Sequence, residues 1–312
     1  MMLGATRQRI LAISGMVAAI HWAVVAANCC AAPRWVDHRT HGPFQFHATF
    51  ALESLTPFFN ELSSLELELQ RTLAVPPAGQ PIDVYLFDDE DSYRATLEQL
   101  YPRVPYRRAL YVQRSDQGSV YAYWQPELAV DLRHECTHAL LHANLAMVPL
   151  WLDEGLAEYF EMPEPQRAFD NPHLSKVRWN LRFGMVRSIE SLESCCDLQD
   201  MEAEEYRFAW AWVHFMLHGP LPAHRALVHY LRDIERGDPP GRLSERLRAA
   251  VPDLDAQLAA HFKQWKRWPR TTVKPCRLKK PNRLERPKTR REPRKSPNAS
   301  IPHVFCVRRL RT

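Results

Sequence analysis

The stretch RHECTHALLH (133–142) constrains this chain more than any other, because two histidines stand four residues apart with a glutamate directly after the first. On an α-helix each residue advances about 100°, so with His134 at zero His138 falls near 40° and Glu135 near 100°. The three side chains share one narrow face. Cys136 falls near 200°, where it reads as a small core residue. Leu132, Cys136, Leu140 and Ala143 form an apolar stripe opposite the histidines, which predicts a helix packed behind and open in front. Two neutral imidazoles one turn apart can grip a single zinc ion with bonds of about 2.0–2.1 Å, and the spacing must be four for that reason. Glu135 lies beside the pair yet is held off the ion, placed to take a proton from metal-bound water. With 14 His in 312 residues the bare pattern HExxH arises by chance in roughly four chains in a hundred, so a third ligand has to be found.

A catalytic zinc normally takes three protein ligands and leaves a position for water. The third is sought in PLWLDEGLAEYFE (149–161), where Glu154 and Glu158 are one turn apart and Glu161 shares their face. A solvated acidic face is the plain alternative. Against it, Trp151 and Leu152 would bury the start of this helix, Gly155 would permit close approach of another backbone, and Pro149 supplies a turn into it. Glu154 then becomes the candidate ligand and Glu158 an acceptor for a ligand imidazole N–H.

HECTH followed by WLDEGLAEYFE resembles the gluzincin metallopeptidases, the thermolysin-like clan whose third zinc ligand is a glutamate on the next helix. The resemblance implies His134, His138 and Glu154 as zinc ligands and Glu135 as general base. It also sets Glu158 where thermolysin-like members carry an aspartate that holds the first histidine. The closer likeness is to a peptidase-MA-like group of exported bacterial proteins of unassigned function, which share the WLxEGLAEYFE segment and a later helix like YRFAWAWVHFML. It covers roughly residues 45–265. Fifteen residues separate His138 from Glu154, fewer than in the thermolysin or aminopeptidase branches, and the GxMEN segment of the latter is absent. A metzincin assignment fails, since Leu141 and Asn144 stand where its glycine and third histidine belong.

Around the motif, FQFHATFAL (44–52) reads as a strand, Leu55 to Leu73 as a helix, and IDVYLFDD (82–89) as a buried strand. DSYRATLEQLY suits a helix capped by Asp91 or Ser92, ALYVQ and SVYAYWQ flank SDQG as a hairpin, and a helix from about Glu127 to Asn144 carries the histidines. The expected class is α+β: a zincin-like small mixed sheet with helices on one face, carrying HExxH and the downstream Glu, followed by an all-helical C-terminal part. The corresponding division is an export signal or anchor over 1–32, a catalytic domain over 33–165, a helical subdomain over 166–268 and a basic, proline-rich, disordered tail over 269–312. The strand SVYAYW is expected at the sheet edge, where an extended peptide could pair with it. Tyr206, and after it His214, are the candidate oxyanion donors on the helix YRFAWAWVH, although Tyr206, Trp210, Val213 and Leu217 also make an ordinary core stripe. Nothing in the sequence makes His142 a ligand.

Charge is segregated. From Thr271 on, fourteen cations against two acids give +12, so the 27 cations and 34 acids of residues 1–270 carry −7. The tail suits contact with an anionic surface but has no aromatic interleaving, so nucleic acid is not an expected partner. Arg7 and Arg9 precede the apolar run ILAISGMVAAIHWAVVAA, which reads as an export signal cut near Ala31 or Ala32, or as an uncleaved anchor. Cys195, Cys196, Cys276 and Cys306 would remain after cleavage, and no disulfide pairing is selected among them. The sequence thus predicts an exported zinc metallopeptidase acting on a peptide or protein. The alternatives are an inactive surface-binding module of the same fold and a zinc hydrolase of a non-peptide envelope substrate.

Overall fold

Phe44, Phe46 and Ala48 alternate with Gln45 and His47, and only the apolar set is buried, the signature of a half-covered strand. The structure, a computed structural model, describes residues 33–114, 117–265 and 308–309. In it this strand, β2 (Phe44–Ala48), is preceded by β1 (Asp37–His41), antiparallel to it. The turn between them places Gly42 at φ +56°, a conformation that L side chains rarely adopt. The sequence reading missed β1 because DHRTH is polar throughout. It also ran the first strand too far, since the segment after Ala48 leaves the sheet.

Helix α1 (Thr56–Leu73) has proline in its first turn and buries Phe58, Phe59, Leu62, Leu65, Leu69 and Leu73. Then come β3 (Ile82–Phe87), α2 (Glu90–Leu100), β4 (Ala109–Arg114) and β5 (Gln117–Tyr123). The cap of α2 is Asp89, whose carboxylate accepts the Ser92 N–H at 2.8 Å, and not Asp91 or Ser92. The sheet is mixed and runs β1-β2-β3-β5-β4, with β3 parallel to both neighbours and β4 antiparallel to β5. SVYAYW is therefore not at the edge: β5 is interior and β4 stands outside it. Buried on both faces from Val120 to Tyr123, β5 gains more from two flanking strands than from one. The dipeptide Arg308–Arg309 pairs with Val112 and Gln113 on the outer side of β4.

Helices cover both faces of the sheet, not one. Ile82, Val84, Leu86, Ala109, Tyr111, Val120 and Ala122 face the main core, built with α1 and the later helices. Phe87, Leu110, Val112, Tyr121 and Tyr123 face the other way and are covered by Tyr93 and Tyr101 of α2 and its C-terminal flank. The rest is helical: α3 (Leu128–His142), α4 (Leu150–Phe160), α5 (Glu164–Arg167), α6 (His173–Arg182), α7 (Ile189–Glu193), α8 (Ala203–His218), α9 (Leu221–Arg236), α10 (Leu243–Ala250) and α11 (Leu254–Gln264). One continuous apolar core runs from Phe44 to Phe262. Its tightest joint is between α4 and α8, where a Cβ added to Gly155 would stand 2.7 Å from the Ala209 carbonyl oxygen. No helix of the described residues is long and apolar enough to cross a membrane. The expected export segment, Cys276, Cys306 and nearly all of the basic tail lie outside the described residues. Cys136, Cys195 and Cys196 are free thiols.

Candidate metal centre

Helix α3 follows directly on β5 and lies against β4 and β5, while α4 lies against α3. The two helices bring His134, His138 and Glu154 together. His134 Nε2 is 3.1 Å from His138 Nε2, and Glu154 Oε2 is 3.6 Å from the first and 3.9 Å from the second. With bonds of about 2.0–2.2 Å, the donor atoms of a tetrahedral ion stand roughly 3.3–3.5 Å apart, and the three observed separations bracket that spacing.

The far nitrogens of both rings fix what the near ones can be. His134 Nδ1 lies 3.1 Å from Glu161 Oε2. His138 Nδ1 lies 3.1 Å from Asp153 Oδ1, off the line of a well-formed hydrogen bond but facing a carboxylate all the same. A carboxylate draws the imidazole proton to the nitrogen that faces it, so each Nε2 is left with a lone pair. In that tautomer two lone pairs face each other across 3.1 Å, and both oxygens of Glu154 are buried without a hydrogen-bond partner. Such a cluster is electrostatically unsatisfied unless a cation or proton lies among its members. Buried His, Glu and Asp groups are thus positioned to hold a metal ion.

The surroundings are strongly acidic. Burial pushes the Glu154 carboxyl well above its ordinary range, and the negative charges of Asp153, Glu135 and Glu158 push it further. Glu161 is raised by burial and by Glu158. Burial also raises Asp153, but the neighbouring His138 and His142 outweigh it and hold that carboxyl well below the usual range. Glu135 is pushed up to about 7 by burial, offset in part by His138 and by the Tyr111 N–H, which donates to its Oε2 at 2.7 Å. Its other oxygen, Oε1, is buried without a hydrogen-bond partner.

Several expectations need correction. The histidine face of α3 is not open: His134, His138 and Glu154 are 0% exposed, because α4 and β4 wall the side that faces away from the apolar stripe. Glu158 Oε2 sits 2.9 Å from His173 Nε2, and the carboxyl against His134 Nδ1 is that of Glu161, with Glu158 close to both. Tyr206 is buried in the main core on α8. His214 is tied down away from the centre, with Nε2 3.0 Å from the Ala168 carbonyl oxygen and Nδ1 3.0 Å from His261 Nε2. Asp153 was missed altogether. It lies 2.9 Å from His142 Nε2 as well as facing His138, and the available signal was His142 itself, a third histidine on the same four-residue step. Tyr111, whose ring lies near-parallel to those of His138 and His142, was missed too. No protein-family model matches the chain, and no curated protein is significantly similar to it.

Proposed function

We propose that the protein is a zinc-dependent metallopeptidase of gluzincin type with a zincin-like fold, exported and acting on peptide or protein substrates. The observation that carries this reading is the pair of Nε2 atoms 3.1 Å apart beside the Glu154 carboxyl, whose two oxygens are buried without a hydrogen-bond partner. Zinc, when held by His134, His138 and Glu154, supplies a Lewis acid that polarises a carbonyl and activates water at neutral pH. The chain's own groups do the rest. The Tyr111 N–H anchors Glu135 through Oε2 and leaves Oε1 to accept a proton from the attacking water and return it to the leaving nitrogen. Glu161 and Asp153 face the Nδ1 atoms of the two imidazoles and would hold the rings in register.

Glu135→Gln should lower chelator-sensitive cleavage of a peptide library by about 10²–10⁴-fold while the purified chain retains about one zinc. A variant as active as the parent, or a parent that binds no metal, would overturn the assignment. One observation favours a second reading, in which the metal is structural and the protein an inactive binding module: all three donor side chains are 0% exposed. That reading predicts retained zinc, no cleavage with or without chelator, and a lowered Tm once the metal is stripped.

A further inference from the structure

Helix α6 has a face that nothing among the described residues covers. Leu174, Val177 and Asn180 turn inward, while Trp179 is 59% and Phe183 61% exposed, with ring centroids 4.9 Å apart. Met185 and Val186, just beyond Gly184, are 38% and 36% exposed. At about 100° per residue, with Ser175 at zero, Trp179 falls near 40° and Phe183 near 80°, with Arg182 near −20° and Lys176 near 100°. Two aromatic rings thus occupy the middle of the face and a cation stands on each rim. Ser175, Lys176, Trp179, Asn180 and Arg207 line a shallow depression beside them. From His173 to Arg187 the chain carries four cations and no acidic residue. Arg187 pairs with Glu204 and Glu205, but among the described residues Lys176, Arg182 and Arg207 form no ion pair.

We propose that this face docks the protein on an anionic membrane surface, with Trp179 and Phe183 entering the headgroup layer and Lys176, Arg182 and Arg207 meeting lipid phosphates. Size and charge both favour this occupant. The four exposed apolar side chains offer roughly 300–400 Å², well short of the roughly 800 Å² per partner of a stable protein interface. An interfacial contact needs only a few rings at the acyl boundary with cations around them. Unpaired cations with no intervening acid complement anionic lipid and would repel a second copy of the same face. The location adds a consequence. His173, the first residue of α6, is bonded to Glu158, and Trp179 lies about 9 Å further along the helix, so docking would bring the metal centre near the bilayer, whether or not it is catalytic.

The N-terminal apolar run and the basic tail can carry the full chain to vesicles on their own, so the decisive readout is local. Hydrogen exchange of the full chain should slow over residues 179–188 on adding vesicles of phosphatidylglycerol and phosphatidylcholine, and not with phosphatidylcholine alone. Trp179→Ala with Phe183→Ala should abolish that protection, with metal content and circular dichroism unchanged. Should that variant not fold, Lys176→Ser with Arg182→Ser, both at exposed positions, should weaken the protection by about tenfold. Protection confined to residues 1–32 and 270–312, or undiminished protection of residues 179–188 in the folded variants, overturns the proposal. So does a lipid-free dimer that the aromatic variant dissociates, since the face would then serve self-association.

Discussion

Helices α3 and α8, both packed against α4, each gather a group of buried and half-buried imidazoles. His134, His138 and His142 line up along α3, and each is within 3.1 Å of a carboxylate oxygen supplied by Glu161 or Asp153. His214 and His218 of α8 and His261 of α11 instead touch one another and neutral groups. The Ala168 carbonyl must accept from His214 Nε2–H, so His214 Nδ1 is bare and accepts from His261 Nε2–H, while His218 Nε2 meets the Tyr159 hydroxyl at 2.7 Å. Residue type is the same and each group mixes buried with half-buried rings, so the partners make the difference. A carboxylate behind the ring makes the far nitrogen a strong electron-pair donor, whereas His214, bonded to a carbonyl on one side and to a second imidazole on the other, has no nitrogen left to offer.

The sharpest way to break this contrast is to compare metal content across it. His138→Ala should reduce bound zinc from about one per chain to nearly none, because three-donor sites lose most of their affinity with one ligand, while His214→Phe should leave it unchanged. Equal loss from both would mean that the carboxylates do not distinguish the groups. A smaller effect is expected behind the ring: Glu161→Gln keeps the shape but weakens the pull on His134 Nδ1, and should lower zinc affinity about 10–100-fold in a competition titration. Next comes the partition itself. Gly155→Ala would drive a methyl into the Ala209 backbone and should cost about 1–3 kcal/mol, read as a lower midpoint in denaturant.

Acid tests the α8–α11 side. Burial holds His218 and His261 down to about 4, with His224 adding to the first and His218 to the second. Their neutral forms are favoured in the folded chain, so stability is intact above the unfolded value of about 6.5 and drains away as pH falls toward 4. Allowing for part exposure, each ring should contribute about 1–2 kcal/mol to that loss. His261→Gln, which keeps an N–H donor for His214 but cannot titrate, should flatten its share of the slope in denaturation between pH 6.5 and 4.

The four-residue step made the histidine pair legible in the sequence, and the small residue between bulky ones at Gly155 announced the close helix contact that the structure contains. Which acid would support His134 could not be read in the same way. Relative to Glu154, Glu158 lies about 40° to one side of α4 and Glu161 about 20° to the other, so the choice depends on how α3 crosses α4, a tertiary quantity. Glu158 is also claimed by His173, fifteen residues on, a pairing that no local pattern encodes. The inward position of β5 was hidden for a related reason, since a hairpin's sequence gives its turn but not which of its strands meets the rest of the sheet.

Every residue from Trp151 to Phe160 is buried, and this one short helix serves the core, the acid cluster and the joint with α8 at once. A segment with so many simultaneous obligations has almost no neutral substitutions left to it. In a saturation library selected only for soluble, folded product, WLDEGLAEYFE should be the block that tolerates least, well below the surface-facing positions of α9 and α10.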